Sequence, residues 1–385
     1  VNNGLAVKVQ GNPHHPNTDG VLCNKVAKYT ERTYHKDRVL TPLKRVGAKG
    51  EGLFEPVSWE EALKDVANRL NALVATNPLA ILPYSYGGTL GAVQGDSISE
   101  RIFNYLGTSD LDRTICASAG AEGMTYTLGA KLGTKVEQFA NSDLIIIWGS
   151  NSITSNLHFW RYAQEAKRKG AKLICIDPRK TETADKCHQH IAILPGTDAA
   201  LALAIMHQLI SNNDLDHDYI QNYTLGFEML RQEAMAWSPE KAALVCGITA
   251  QEIIDLAQEY GACLRNNKAA AIRLNYGMQR TKGGGNAVRA VLSLPALIGA
   301  WRHAAGGALL SSSSANVARS AALQRPDLAK VRRRVINMTT IGDDLLRPAS
   351  PAFGPQIEAL IVYNSNPVAI APESGKVVQG FGRED

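Results

Sequence analysis

The sequence predicts an α/β protein built on mostly parallel sheet, and three observations carry that expectation. Short, nearly continuous apolar runs recur along the chain, with Asp143-Leu144-Ile145-Ile146-Ile147-Trp148 the clearest, and a strand without polar alternation is one buried on both faces. Between the runs lie stretches of about 10 to 18 residues with apolar positions at helical spacing, and strands alternating with helices specify parallel pairing covered on both sides. The chain has 385 residues, which at about 100 to 200 residues per domain gives two or three domains.

The first 45 residues are rich in Gly, Pro, His and Lys and lack a helical period. They read as short strands and turns, punctuated by Gly11-Asn12-Pro13 and Asp19-Gly20. Organised structure begins at Ser58-Trp59-Glu60-Glu61, whose Ser-x-x-Glu spacing is that of a capping box, and Ala62, Val66, Leu70 and Leu73 continue it as a helix over 58–75. A strand over 79–84 and a helix over 97–106 follow. Strand 143–148, helix 158–169, strand 171–176, the short run 190–194 and helix 199–211 come next. Helices are expected over 250–264 and 286–300, and strands over 269–274 and 357–363. The segment 311–350 reads as an irregular excursion, and no repeat of solenoid length is visible.

Composition excludes several classes of function. Hydrophobic residues make up 45% and charged residues 20%, so the chain is neither disordered nor fibrous. No run approaches the roughly 20 apolar residues of a membrane helix, so no membrane span is expected. The 41 Lys and Arg exceed the 36 Asp and Glu by only five, and the one tight basic cluster, 330–334, is expected to be a solvated helix end. Nucleic acid is therefore not an expected partner. Six cysteines without a C-x-x-C pair suit a reducing compartment rather than a disulfide scaffold.

Ligands of open α/β sheets gather outside the carboxyl ends of the strands. Four junctions stand there: Leu82-Pro83-Tyr84-Ser85-Tyr86-Gly87-Gly88-Thr89, Trp148-Gly149-Ser150-Asn151, Ile176-Asp177-Pro178-Arg179-Lys180-Thr181 and Pro195-Gly196-Thr197-Asp198. Small residues admit a ligand to the backbone and free helix amides favour phosphate. The four together favour a large phosphate-bearing ligand, while the absence of G-x-G-x-x-G argues against an ordinary NAD or FAD site.

Cys116, in Cys116-Ala117-Ser118-Ala119-Gly120-Ala121-Glu122-Gly123, admits two readings. It is a buried structural cysteine, or a thiolate at the start of a small-residue helix whose dipole favours the anion and whose small neighbours admit a bulky cofactor, in which case a transition metal is its target. Cys187-His188-Gln189-His190 lacks a second cluster at zinc spacing. His14-His15 reads as a solvated pair, and Thr281-Lys282-Gly283-Gly284-Gly285 lacks the order of a Walker loop.

Together these segments resemble the molybdopterin oxidoreductases of the dimethyl-sulfoxide-reductase type. The resemblance runs in order through Gly11-Asn12-Pro13 and Pro16, Gly20-Val21-Leu22-Cys23-Asn24-Lys25, Tyr34-His35 and Asp37-Arg38, and Pro42-Leu43-Lys44-Arg45-Val46-Gly47. It continues through Trp148-Gly149-Ser150-Asn151, Asp177-Pro178-Arg179, Pro195-Gly196-Thr197-Asp198 and Asn364-Ser365-Asn366-Pro367. It implies two doubly wound, mostly parallel α/β domains preceded by the remnant of a small β-rich iron–sulfur domain. The expected boundaries are 1–45 for the remnant, 46–140 plus 330–385 for the first α/β domain, and 141–329 for the second, dinucleotide-binding one.

The resemblance also implies molybdenum or tungsten held by two molybdopterin guanine dinucleotides, with a [4Fe-4S] cluster in the full-length protein. Cys116 falls at the metal-ligand position, in a context most like the cysteine-ligated branch that includes periplasmic nitrate reductases and formate dehydrogenase catalytic subunits. Ala117 stands where the formate dehydrogenase branch has His, which disfavours that activity. Cys23 matches the last cluster ligand, and Lys25 the lysine between cluster and pterin. Thr89 and Asp112 fall at pterin contacts. Trp148, Gly149, Ser150, Asn151 and Ser155 match one dinucleotide-binding turn. Asp177, Pro178, Arg179 and Thr181 match a second, with Asp177 the guanosine partner, and Gly196, Thr197 and Asp198 a third. Tyr276, Gln279 and Asn364 complete the set, although the spacing near Gly277 is one residue short of the pattern.

The implied chemistry is two-electron redox or oxygen-atom transfer on a small substrate, with an electron-transfer protein or subunit as partner. Two departures lead to the expectation of a fragment truncated at both ends: the family's first three cluster cysteines and its C-terminal domain are not in the chain. The alternatives are a non-redox relative such as a hydratase, an electron-conduit subunit, which would ordinarily lack Cys116, and a nucleotide-binding α/β protein without metal. Cytoplasmic localisation is expected, with the periplasm as the alternative because the chain opens on Val1-Asn2-Asn3-Gly4.

Overall fold

The computed structural model describes residues 1–384 except 89, 90, 92, 94, 96, 312–319 and 331. The fold is mixed α/β with parallel strands, and the chain divides into two compact units. One comprises Val1–Tyr34 with Ala119–Asn316, the other His35–Ser118 with Val317–Asp385.

The first unit is organised around a five-stranded, wholly parallel sheet. Its strands are β1 (Leu144–Trp148), β2 (Lys172–Ile176), β3 (Gln189–Ile191), β4 (Ala270–Leu274) and β5 (Gly307–Leu309), in the spatial order β3-β2-β1-β4-β5. Every residue of β1 is buried, because its alternate side chains feed two cores. Leu144, Ile146 and Trp148 pack with Ile174, Ile272 and the helices Asp198–Ser211, Ala250–Arg265 and Gly284–Leu297. Ile145 and Ile147 pack on the other face with Leu173, Ala271 and the aromatic pair Phe139 and Phe159, whose rings meet edge-on at 5.0 Å. This period of two within an all-apolar run is the signature of a strand covered on both sides.

Arg273 of β4 shares the second face, stacked 5.5 Å over Phe159. Its guanidinium is buried and donates to the carbonyls of Leu309 at 3.0 Å and Leu310 at 2.8 Å, and also to that of Leu274. Burial pushes its pKa down to about 10, so a cation without a carboxylate partner is kept in place by strand-end carbonyls.

The second unit holds two pairs of parallel strands, Ile81–Ser85 with Ala359–Tyr363 and Asp110–Asp112 with Val335–Asn337, and an antiparallel hairpin, Leu43–Arg45 with Phe54–Pro56. Leu82, Tyr84, Leu111, Ile336, Met338 and Ile341 form its core. Arg334 stitches this core together, donating to Ser109 Oγ at 3.0 Å, Leu79 O at 2.6 Å and Phe353 O at 3.0 Å.

Most expected elements are present with small shifts in their ends, and Ser58 caps helix Trp59–Thr76 by accepting from the Glu61 amide at 3.1 Å. Two expectations need correction. The first 34 residues contain turns and two short helices, with β-structure only as the bridge between Asn2 and Leu5. Segment 311–350 is not wholly irregular, since Val335–Asn337 pairs with Asp110–Asp112 and Ile341–Leu346 is helical. In the structure residues 119–140 and 1–34 lie in the same compact unit as the five-stranded sheet: Met124 and Phe139 lie in its two cores, and Asp19 pairs with Arg161 at 2.7 Å.

Phe159→Ala should lower the unfolding free energy by about 3–5 kcal/mol, since it empties the centre of one core. Urea denaturation followed by circular dichroism measures this.

Candidate active site and binding rim

Parallel pairing delivers the carboxyl ends of β1, β2, β3 and β4 to one edge of the five-stranded sheet. The strand order reverses at β1, so β1 and β4 leave side by side into connections that diverge, the switch point at which such sheets bind ligands. Gly149 follows β1 with φ +61°, in the left-handed region that favours glycine, and a side chain there would press on Met278 of the loop after β4. In the same rim Asn151 accepts from Thr183 Oγ1 at 2.8 Å and donates to Thr154 Oγ1 at 2.9 Å, while Asn275 donates to Ser150 Oγ at 3.3 Å and Ser155 Oγ at 3.4 Å. After β2, Asp177 accepts from the Arg179 amide at 2.9 Å, which fixes the Asp177-Pro178-Arg179 turn. Gly196 turns with φ +84° beside Thr281, and Thr197 Oγ1 donates to Leu194 O at 2.7 Å.

Not every expected rim residue faces outward. Gly149, Asn151, Ser155, Asp177, Pro178, Arg179, Gly196, Thr197 and Tyr276 are half-buried or exposed. Trp148 is fully buried, and its indole donates to Asp198 Oδ1 at 2.8 Å, so both side chains support the rim from beneath. Ser150 is turned onto Ser152 Oγ at 2.9 Å, and Thr181 accepts from the Ala184 amide at 3.3 Å as a helix cap. Gln279 is buried and accepts from the Gly120 amide. Burial holds the Asp198 carboxyl above its usual range, against the opposing effect of the Trp148 hydrogen bond.

The second unit contains a cleft of about 550 Å³ at the carboxyl ends of its two longer strands. Cys116 is half-buried on its wall, with Ser85, Tyr86 and Gly87 from one strand end and Asn364 from the other. Asn364 takes φ +50°, and a side chain on Gly88 would collide with its carbonyl. The floor is charged. Glu100, 8% exposed, lies 3.1 Å from Arg113 and 3.5 Å from Arg333, and Asp110 lies 3.7 Å from Arg333. Two expected residues, Cys116 and Asn364, thus meet in one cleft. Asp112 instead faces solvent near Asn337, and Thr89 lies outside the described residues. Arg113, Glu100, Arg333 and Asp110 were not anticipated, and the only local signal was an arginine three residues before Cys116.

Two of the small residues after Cys116 sit against neighbouring segments. In helix Ser118–Leu128 a side chain on Gly120 would strike Gln279 and Leu310, and one on Gly123 would come within 2.6 Å of Gly285 O. They serve close packing.

All six cysteines are thiols. Cys23 begins the short helix Asn24–Ala27, and the Val26 amide, aided by Lys25, holds its pKa below the usual thiol value. Lys25 itself is exposed. Burial pushes Cys246 up and Cys263 up to about 12, while the Cys187 thiol and burial raise Cys175. Among the described residues no group of three or more His, Cys, Asp or Glu is placed to hold a metal ion, so Cys116 and Cys23 could each give a metal centre a single protein ligand.

Comparison with known proteins agrees with this architecture. Residues 38–383 match the molybdopterin oxidoreductase family, and the chain belongs to that family. It is 42% identical over 384 residues to the probable oxidoreductase YoaE of Bacillus subtilis (strain 168), covering 99% of this chain and 55% of that protein. It is 32% identical over 320 residues to the dimethyl sulfoxide reductase DmsA of Escherichia coli (strain K12), covering 74% of this chain and 39% of the relative. The fold is similar to that of acetylene hydratase from Pelobacter acetylenicus, with a TM-score of 0.72 at 20% identity over 96% of this chain and 55% of that one. The chain spans about half the length of YoaE, and its family, one of enzymes, implies molybdenum or tungsten and a pterin cofactor. No helix among the described residues is long and apolar enough to cross a membrane.

Two outcomes follow from these environments. The folded state keeps Asp198 protonated to higher pH than the unfolded chain does, so its ionisation subtracts from stability as pH rises through and above the ordinary carboxylate range. Asp198→Asn, which keeps an acceptor for Trp148, should raise the melting temperature near neutral pH and lose that advantage below about pH 4. Secondly, iodoacetamide at neutral pH should label Cys23 first and Cys246 and Cys263 last, as read by peptide mass spectrometry.

Proposed function

We propose that this chain carries the metal-ligating part of a molybdenum or tungsten enzyme that binds two molybdopterin guanine dinucleotides and acts on a small substrate by two-electron redox or oxygen-atom transfer. The supporting observation is the placement of Cys116. It is a half-buried thiol on the wall of a polar cleft, whereas Cys175, Cys246 and Cys263 are closed into cores. A soft sulfur donor in a cleft open beside Gly87 fits a soft metal that brings its remaining ligands with it. The bound cofactor would supply the redox or atom-transfer step, and the protein orientation and charge.

The chain's own residues divide the remaining work. The turns at Gly149 and Asn151, Asp177 to Arg179 and Gly196-Thr197, half-buried or exposed, suit an anionic nucleotide, with small residues and main-chain amides at the sheet edge. Asp177, whose carboxylate already orders its own turn, is the proposed acceptor for a guanine edge. Trp148 and Asp198 brace the rim, and Asn364 shares the cleft with Cys116. Cys23, with its acidified thiol, is the proposed single ligand from this chain to a [4Fe-4S] cluster. An electron-transfer partner and a cytoplasmic location complete the proposal.

The fold is shared with a hydratase, so the fold does not choose between redox and hydration. The test is elemental analysis with pterin fluorescence on the full-length protein purified anaerobically. Molybdenum or tungsten with guanine nucleotide is expected. Nucleotide phosphorus without either metal would sink the proposal, and turnover without an electron acceptor would replace redox chemistry by hydration. Cys116→Ala should retain the nucleotides while activity falls by at least about a hundredfold. Unchanged turnover would remove Cys116 from the mechanism.

A further inference from the structure

We propose that Arg113 is a positioning residue for Cys116, fastening the turn that carries the sulfur. The inference rests on the assignment of Cys116 as metal ligand, and it concerns what fixes that ligand in place.

Residues 113–117 lie after strand Asp110–Asp112 and before helix Ser118–Leu128, so neither a sheet ladder nor a helix holds them. Arg113 ties them to the end of the neighbouring strand and to Glu100. Its Nε donates to Ser85 O at 3.0 Å, one terminal nitrogen to Ser85 Oγ at 2.8 Å and Glu100 Oε1 at 3.1 Å, and the other to Leu111 O at 3.1 Å. Its own carbonyl accepts from Ser118 Oγ at 3.4 Å, which closes the turn from the far side. Next to it, Thr114 donates to Asn337 Oδ1 at 2.6 Å.

The anchor points are themselves fixed. Ser85, 4% exposed, ends the strand paired with Ala359–Tyr363. Glu100 is held between Arg113 and Arg333, and Arg333 is tied to Asn104 Oδ1 at 2.7 Å, Thr108 O at 2.9 Å and Ser109 O at 3.0 Å. A planar fork with several directed donors suits this task, and the single-point ammonium of lysine does not. Ligand placement matters because displacement of a reacting centre by about 1 Å costs on the order of a hundredfold in rate.

The test compares wild type, Arg113→Lys and Arg113→Gln in the full-length protein, both metal-free and loaded. The readout is peptide-resolved alkylation by iodoacetamide, with Cys23 as the internal reference. In the metal-free protein both variants should label Cys116 about fivefold faster or more, since the turn loses directed hydrogen bonds, while Cys23 keeps its rate. In the loaded protein the metal–thiolate absorption band should shift or weaken in both variants. If either variant fails to fold, Ser85→Ala is read in its place, because it removes one acceptor and leaves every charge paired. A rise of about twofold or more is expected for it. A Cys116 labelling rate equal to wild type in a folded Arg113→Lys protein, or in Ser85→Ala where that variant replaces it, overturns the inference. Failure of the ligand assignment has a separate signature: metal loading would leave wild-type Cys116 fully reactive, whatever the Arg113 variants do.

Discussion

A strand that is apolar at every residue has no face to give to water, and the first unit is organised by that constraint. Leu144, Ile146 and Trp148 look one way and Ile145 and Ile147 the other, so β1 must sit inside a sheet with helices on both sides. Covering helices require crossover connections, and crossovers force parallel pairing. Parallel pairing then brings the carboxyl ends of the strands to one edge. The turns at Gly149, Asp177 and Gly196 share a rim because hydrophobic burial in β1 leaves the chain no other arrangement. At this level the rim is a by-product of the core.

The parts legible in the sequence were those with a local physical cause. An unbroken apolar run announced β1, Ser58 announced a helix start, and small residues with Asp or Asn marked the rim turns. Strands Asp110–Asp112, Val335–Asn337 and Gly307–Leu309 were not legible, because three residues are too few to establish a period and their identity comes from a neighbour elsewhere in the chain. The cleft shows the same division. Cys116 and Asn364 stood out through the motifs around them, whereas the Arg113–Glu100–Arg333 cluster joins residues up to 233 positions apart. Gly120 and Gly123 were legible as a small-residue run, whereas the segments they pack against were not. The need of two packed elements to approach closely leaves the same trace as room for a ligand.

Membership of the molybdopterin oxidoreductase family and the physics of the site speak to different levels. Family and fold establish the class of enzyme. Neither singles out a substrate, since relatives named for sulfoxide reduction and a structural neighbour named for acetylene hydration share the same framework. On the proposed reading, chemical choice resides in the groups around Cys116.

Arg273 bears on how the sheet comes apart. A three-residue edge strand such as β5 would ordinarily fray before its neighbours. Here fraying would also forfeit the bonds from the guanidinium to the carbonyls of Leu309 and Leu310, and hydrogen bonds to a charged group contribute about 1.5–3 kcal/mol each. The margin of the sheet is thereby coupled to its interior, and the amide protons of β5 are expected to exchange with solvent more slowly than those of a loose border.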